Sequence, residues 1–189
     1  MVVIPPPGPP RPLGDNAEVT STFDPELTPG ARNAIRVCLN VQPHERVTVV
    51  TDRACEEIAA SLVAEIAAVG APHRAFVLEE EAPRPLTDLP ASIAADMELS
   101  QVSIFAVQVQ QHELASRMQL TNIVNRRRMR HAHMVNITPQ IMREGMRADY
   151  LKVDRLSQKV IEMVRVAREV RATTPAGSNF VATLNPDYK

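Results

Sequence analysis

The chain has 189 residues, of which 44% are hydrophobic and 23% charged, with five histidines, two cysteines and no tryptophan. That balance belongs to a folded protein with a core of its own and excludes an intrinsically disordered chain. The formal net charge of −1 hides a split: residues 1–100 hold seven arginines against fifteen carboxylates, whereas residues 101–189 hold fourteen basic and seven acidic groups.

The opening stretch, MVVIPPPGPPRP, lacks a basic segment and a long apolar run, so it is not expected to be a signal peptide. Residues 1–28 are expected to form a proline-rich flexible tail, and residues 29–189 a single α/β domain. No apolar run reaches the roughly 20 residues needed to span a bilayer, so no membrane contact is expected and a cytoplasmic location follows by default. Cys38 and Cys55 sit in apolar helical patterns and are expected to be reduced thiols.

From Pro29 and Gly30 a short helix is predicted to about Asn40, and RVTVVT (Arg46–Thr51) is a near-continuous β-branched run suited to a strand covered on both faces. Thr51 or Asp52 can cap the helix that follows, and Gly70 can stop it. HRAFVLE (His73–Glu79) is a second strand, ASIAADMEL a short helix, and QVSIFAVQV (Gln101–Val109) a third strand. A longer helix is predicted over His112–Arg130, then a fourth strand, HAHMVNI. Thr138 caps a short helix beginning at Pro139, Asp149 opens another, and EVRATT and FVATLN form a hairpin around PAGSN. Four strand–helix alternations predict an open, mostly parallel sheet with helices on both faces, of Rossmann or flavodoxin type, ending in a β-hairpin.

The basic run NRRRMR holds Arg126, Arg127, Arg128 and Arg130. Phosphate-gripping proteins add aromatic groups that stack on bases, and here aromatics are 3% of the chain. The arginines therefore read as the last turn of a helix, opposing its negative dipole end, and nucleic acid is not the expected partner. His131 and His133 alternate on one strand and leave the same face, as two metal ligands could. No third ligand lies near them in sequence, so no metal site is assigned there. The turn after the first strand, TDRACEE, has no glycine, and Asp52 would place its own carboxylate where a phosphate would sit, which argues against a nucleotide cofactor. The better-placed cluster is QVQQHE (Gln108–Glu113) at the carboxyl end of the third strand, with Glu79–Glu80–Glu81 closing the second strand nearby. His112 is the one binding candidate, near a helix start that disfavours its protonated form. No catalytic residue is assigned.

Three stretches resemble a known family. ARNAIRVCLNVQPHERVTVVTD is similar to its opening helix–turn–strand, VNITPQIMREGMRADYLKVDRLSQKV to its strand-to-helix passage, and VRATTPAGSNF to its hairpin. The family is that of the thermophilic-type metallo-aminopeptidases, the aminopeptidase T and S or leucyl aminopeptidase kind, matched over about residues 30–184. The resemblance implies an amino-terminal scaffold or substrate-wall domain of a metallohydrolase that removes amino-terminal residues from peptides, with a homodimer expected. Family members are about twice as long, and their zinc, cobalt or similar ions are held in the carboxyl-terminal half, so no cofactor is expected in this chain and peptide would be met through that other half. Two alternatives stand beside it: a fragment of a related ring-cleaving iron dioxygenase acting on dihydroxypyridines, and a stand-alone anion- or nucleic-acid-binding module using the basic second half.

Overall fold

The computed structural model describes residues 22–185 and 187, so the expected tail lies mostly outside the described residues. The chain divides into two compact units, residues 1–147 and 148–189.

The first unit is built on four parallel strands, β1 (Val47–Thr51), β2 (His73–Val77), β3 (Val102–Val107) and β4 (Arg130–Val135), in the order β2–β1–β3–β4. This is the order of flavodoxin-type doubly wound sheets rather than the dinucleotide-binding order. Every residue of β1 and β3 is buried, because crossover helices cover both faces. One face packs Val47, Val49 and Ile104 against Ile58, Leu62 and Ile66 of α2 (Glu56–Val69). The other packs Val50, Phe105 and Val107 against Leu120, Ile123 and Val124 of α5 (Leu114–Arg127) and Ile93 and Met97 of α4 (Ala91–Met97). The predicted α/β architecture with helices on both faces is thus present.

Local signals explain the element ends. Asp52 Oδ1 accepts from the Cys55 amide at 2.9 Å and so caps the turn leading into α2, while Gly70 ends that helix in the left-handed region (φ 83°). Thr138 caps α6 (Pro139–Arg143) by accepting from the Ile141 amide, with Pro139 in the first turn. The expected boundary at residue 28 falls inside a packed segment. Pro25–Leu27 form a 3₁₀ turn that seats Leu27 fully in the core, and it runs directly into α1 (Thr28–Arg32). The predicted helix to Asn40 continues as a π-helical segment, Asn33–Cys38.

The basic run differs from expectation in its second half. Arg126 and Arg127 close α5, but Arg128 is the left-handed C-cap (φ 53°) and Arg130 already belongs to β4. Arg126 and Arg127 pair with Glu98, and Arg130 with Glu45. The run is therefore partly neutralised by acids from the first half of the sequence, which is where the opposite charges of the two halves meet. At the amino ends of the strands, a buried network joins Asp96 to the Thr48 hydroxyl at 2.8 Å and to Arg46 at 2.5 Å.

The second unit consists of α7 (Tyr150–Val166), opened by Asp149 whose carboxylate accepts from the Lys152 amide, and the hairpin β5 (Glu169–Thr173) and β6 (Asn179–Thr183). The hairpin is antiparallel, pairing Glu169 with Thr183 and Thr173 with Asn179, and Gly177 takes the positive φ of 97° that the PAGSN turn requires. Helix α7 has no buried side chain. No helix is long and apolar enough to cross a membrane among the described residues.

Candidate functional site

In doubly wound sheets, ligands bind beyond the carboxyl ends of the strands, in the crevice where neighbouring crossovers depart in opposite directions. Here that place lies beyond the carboxyl ends of β1 and β3, because β1 is flanked by β2 on one side and β3 on the other. Asp52 follows β1 directly, and Gln108 follows β3. Between them sits Arg84, brought back from the proline-containing loop after α3 (Leu78–Glu81).

Arg84 is held from every side. Its Nε and Nη2 donate to the two oxygens of Glu113 at 2.8 and 2.6 Å, a bidentate pairing. Nη1 donates to Asp52 Oδ2 at 2.8 Å and to Glu79 Oε1 at 3.1 Å, and Nη2 also donates to the Gln108 carbonyl at 2.8 Å. The Arg84 side chain is 4% exposed, and those of Asp52 and Glu113 are 1% and 3%. Main-chain donors complete the carboxylates. Glu113 accepts from the Leu86 and Gln110 amides, and Asp52 accepts from the Cys55 and Gln108 amides.

These contacts set the ionisation. The Arg84 guanidinium holds the Glu113 carboxyl down to about 2 against the cost of burial, with the Leu86 and Gln110 amides helping. Glu113 in turn raises the Arg84 pKa above its ordinary value, as do Asp52 and Glu79. Such a group can neither donate nor accept a proton near neutrality. Cys55, 1% exposed beside Asp52, has its thiol pushed up to about 11 by burial, so it is a poor nucleophile. Gln108 crosses the same space, donating from Nε2 to the Ile137 carbonyl at 2.7 Å.

The QVQQHE stretch holds the binding candidate His112 together with two members of this cluster, Gln108 and Glu113. His112 is exposed, in a turn at φ 76°, while Glu113 and Gln108 of the same QVQQHE stretch turn inward. Of the acidic run, Glu80 and Glu81 face outward, and Glu79 joins Arg84 and accepts from the Arg53 amide. Arg84 itself was not singled out. The available signal was compositional: seven arginines among residues 1–100 leave few partners for carboxylates that the fold must bury. Among the described residues, no three His, Cys, Asp or Glu side chains form a group suited to a metal ion.

No family model matches the chain, and no curated protein matches it in sequence. In fold it is similar to the structure of 2,5-dihydroxypyridine dioxygenase from Pseudomonas putida KT2440, with a TM-score of 0.53 and 12% identity. The match covers 84% of this chain and 47% of that one, so this chain spans about half the length of the dioxygenase. At this identity the likeness establishes the fold.

Proposed function

We propose that the chain is a non-catalytic α/β domain of a metal-dependent enzyme, one that supplies the folded wall against which a separate metal-bearing portion works. The observation that carries this is Arg84. A doubly wound sheet ordinarily leaves its switch-point crevice open to a ligand. Here the crevice holds the chain's own guanidinium, fixed by Asp52 and Glu113, and Glu113 keeps its charge through the working pH range. Such an arrangement braces the sheet edge and offers no free acid, base or nucleophile.

The reaction of the whole enzyme is ring cleavage of a dihydroxylated aromatic heterocycle, a reading supported by the fold likeness to the dioxygenase over about half its length. Removal of amino-terminal residues from peptides is the second reading, supported by the sequence stretches around Arg46–Asp52, Thr138–Asp149 and Thr174–Ser178. In either case the metal would be held by residues outside those described. The test is turnover by the purified chain under both regimes: 2,5-dihydroxypyridine with ferrous iron and air, and amino-acid amides with cobalt or zinc. The expected result is none in either. Metal-stimulated turnover that scales with protein and is lost in Glu113→Gln would make the Arg84 cluster an active site and end the proposal.

A further inference from the structure

A second constellation lies in the middle of β3 and β4, away from Arg84. The parallel register sets Ser103 of β3 beside His131 of β4, and Phe105 beside His133. Side chains two apart on a strand leave the same face, so all four groups meet. Ser103 Oγ is 2.8 Å from His131 Nδ1, and Phe105 stacks on the His133 ring at 5.5 Å between centroids. The other nitrogen of His131, Nε2, lies 3.1 Å from His133 Nδ1.

We propose that His131 and His133 chelate one divalent late-transition-metal ion, through Nε2 of the first and Nδ1 of the second. Metal–imidazole bonds run about 2.0–2.1 Å, and two such bonds to atoms 3.1 Å apart enclose an angle of about 98°. That is nearer the right angle of tetragonal coordination than the tetrahedral angle, which favours copper(II) or nickel(II) over zinc. Ligand histidines need the distal ring nitrogen anchored by a second group, and buried Ser103 is placed to accept the His131 Nδ1 proton. That leaves the Nε2 lone pair aimed at the partner ring. Phe105 fixes the plane of His133, so little side-chain freedom is lost on binding. Without metal, His133 Nδ1–H donates to the His131 Nε2 lone pair; on binding, His133 changes to its Nε2–H tautomer, so both rings stay neutral and Nδ1 is freed for the ion.

Two features bound the strength of the site. The positive charge of Arg117, on α5, bears on His133 and opposes a cation. No third His, Cys, Asp or Glu joins the pair among the described residues, so water fills the other positions. The expected occupant is a single, exchangeable ion rather than a buried structural metal. The site is separate from the Arg84 cluster, and its test reads binding rather than turnover, so the scaffold reading and this one can fail independently.

The experiment uses tag-free full chain carrying Cys38→Ser, which removes the exposed thiol as a competing ligand. Copper(II) is titrated by calorimetry, and the loaded protein is examined by electron paramagnetic resonance. The expected outcome is one copper per chain with hyperfine structure from two equatorial imidazole nitrogens. His133→Asn should abolish stoichiometric binding while keeping the far-ultraviolet circular dichroism, and Ser103→Ala should weaken binding about 10-fold or more. If His133→Asn does not fold, the two-nitrogen signature of the parent decides the matter alone. No binding at millimolar copper, a spectrum showing one nitrogen, or equal binding by folded His133→Asn would overturn the proposal.

Discussion

Replacing Arg84 by methionine removes the guanidinium while keeping most of the side chain's length, and it isolates what the ion cluster contributes. The change deletes the bidentate pair with Glu113 and the 2.8 Å bond to Asp52, leaving two carboxylates, 3% and 1% exposed, without a cation. Breaking a buried pair on one side costs about 3–5 kcal/mol. Here the Leu86, Gln110, Cys55 and Gln108 amides still donate to the orphaned oxygens, which places the cost near the lower figure, about 3 kcal/mol. Independently, a Glu113 carboxyl held at about 2 rather than 4.5 corresponds to about 3 kcal/mol at neutral pH. The folded pKa is depressed, so this stabilisation is present above about pH 4.5 and is lost as pH falls toward 2. Urea unfolding followed by circular dichroism at pH 7 should show the Arg84→Met deficit, and at pH 3.5 the gap from the parent should shrink. Adding Glu113→Gln to Arg84→Met should recover part of it, since one uncompensated charge is gone. A variant within 0.5 kcal/mol of the parent at pH 7, or a deficit that does not change with pH, would refute the reasoning.

Other outcomes follow from single contacts. A Cβ on Gly30 would stand 2.3 Å from the Met142 carbonyl oxygen, so Gly30→Ala must push α1 away from α6; calorimetry should show a loss of about 1–3 kcal/mol. Burial, with the charge of His133, lowers His131 to about 4, so the folded state holds it neutral. Stability should therefore fall as pH drops from about 6.5 toward 4, and His131→Asn should remove that part of the acid dependence in chemical denaturation. Cys38 is exposed and Cys55 is 1% exposed with a raised pKa, so a disulfide exchange reagent at pH 8 should titrate one thiol in the native chain and two in denaturant.

Much of the architecture was legible because it is written in local signals. The β-branched run at Val47–Thr51 shows a doubly covered strand, Asp52, Thr138 and Asp149 show helix starts, and Gly70 and Gly177 mark positions needing positive φ. The candidate site was half legible. QVQQHE was recognised as lying at the ligand-binding edge, but which of its residues turns inward depends on the left-handed turn at His112, which periodicity does not reveal. Arg84 was invisible for a different reason. Its two buried acidic partners, Glu113 and Asp52, lie 29 and 32 residues away, and an arginine in a proline-rich loop carries no local mark of burial. The Ser103–His131 pairing likewise needs β3 beside β4 in a known register before it can be seen. The buried residue of the expected tail, Leu27, was hidden by prolines at positions 25 and 29, which read as a linker but here start helical turns.

Carbon-13 titration of the Glu113 side-chain carboxyl by nuclear magnetic resonance asks most directly whether Arg84 closes the crevice. If the guanidinium is seated there in solution, the resonance stays that of an ionised carboxylate from pH 7 down to about pH 3. A midpoint near 4.5 would mean that Glu113 is solvated and free, that the crevice is open, and that the scaffold account has lost its footing.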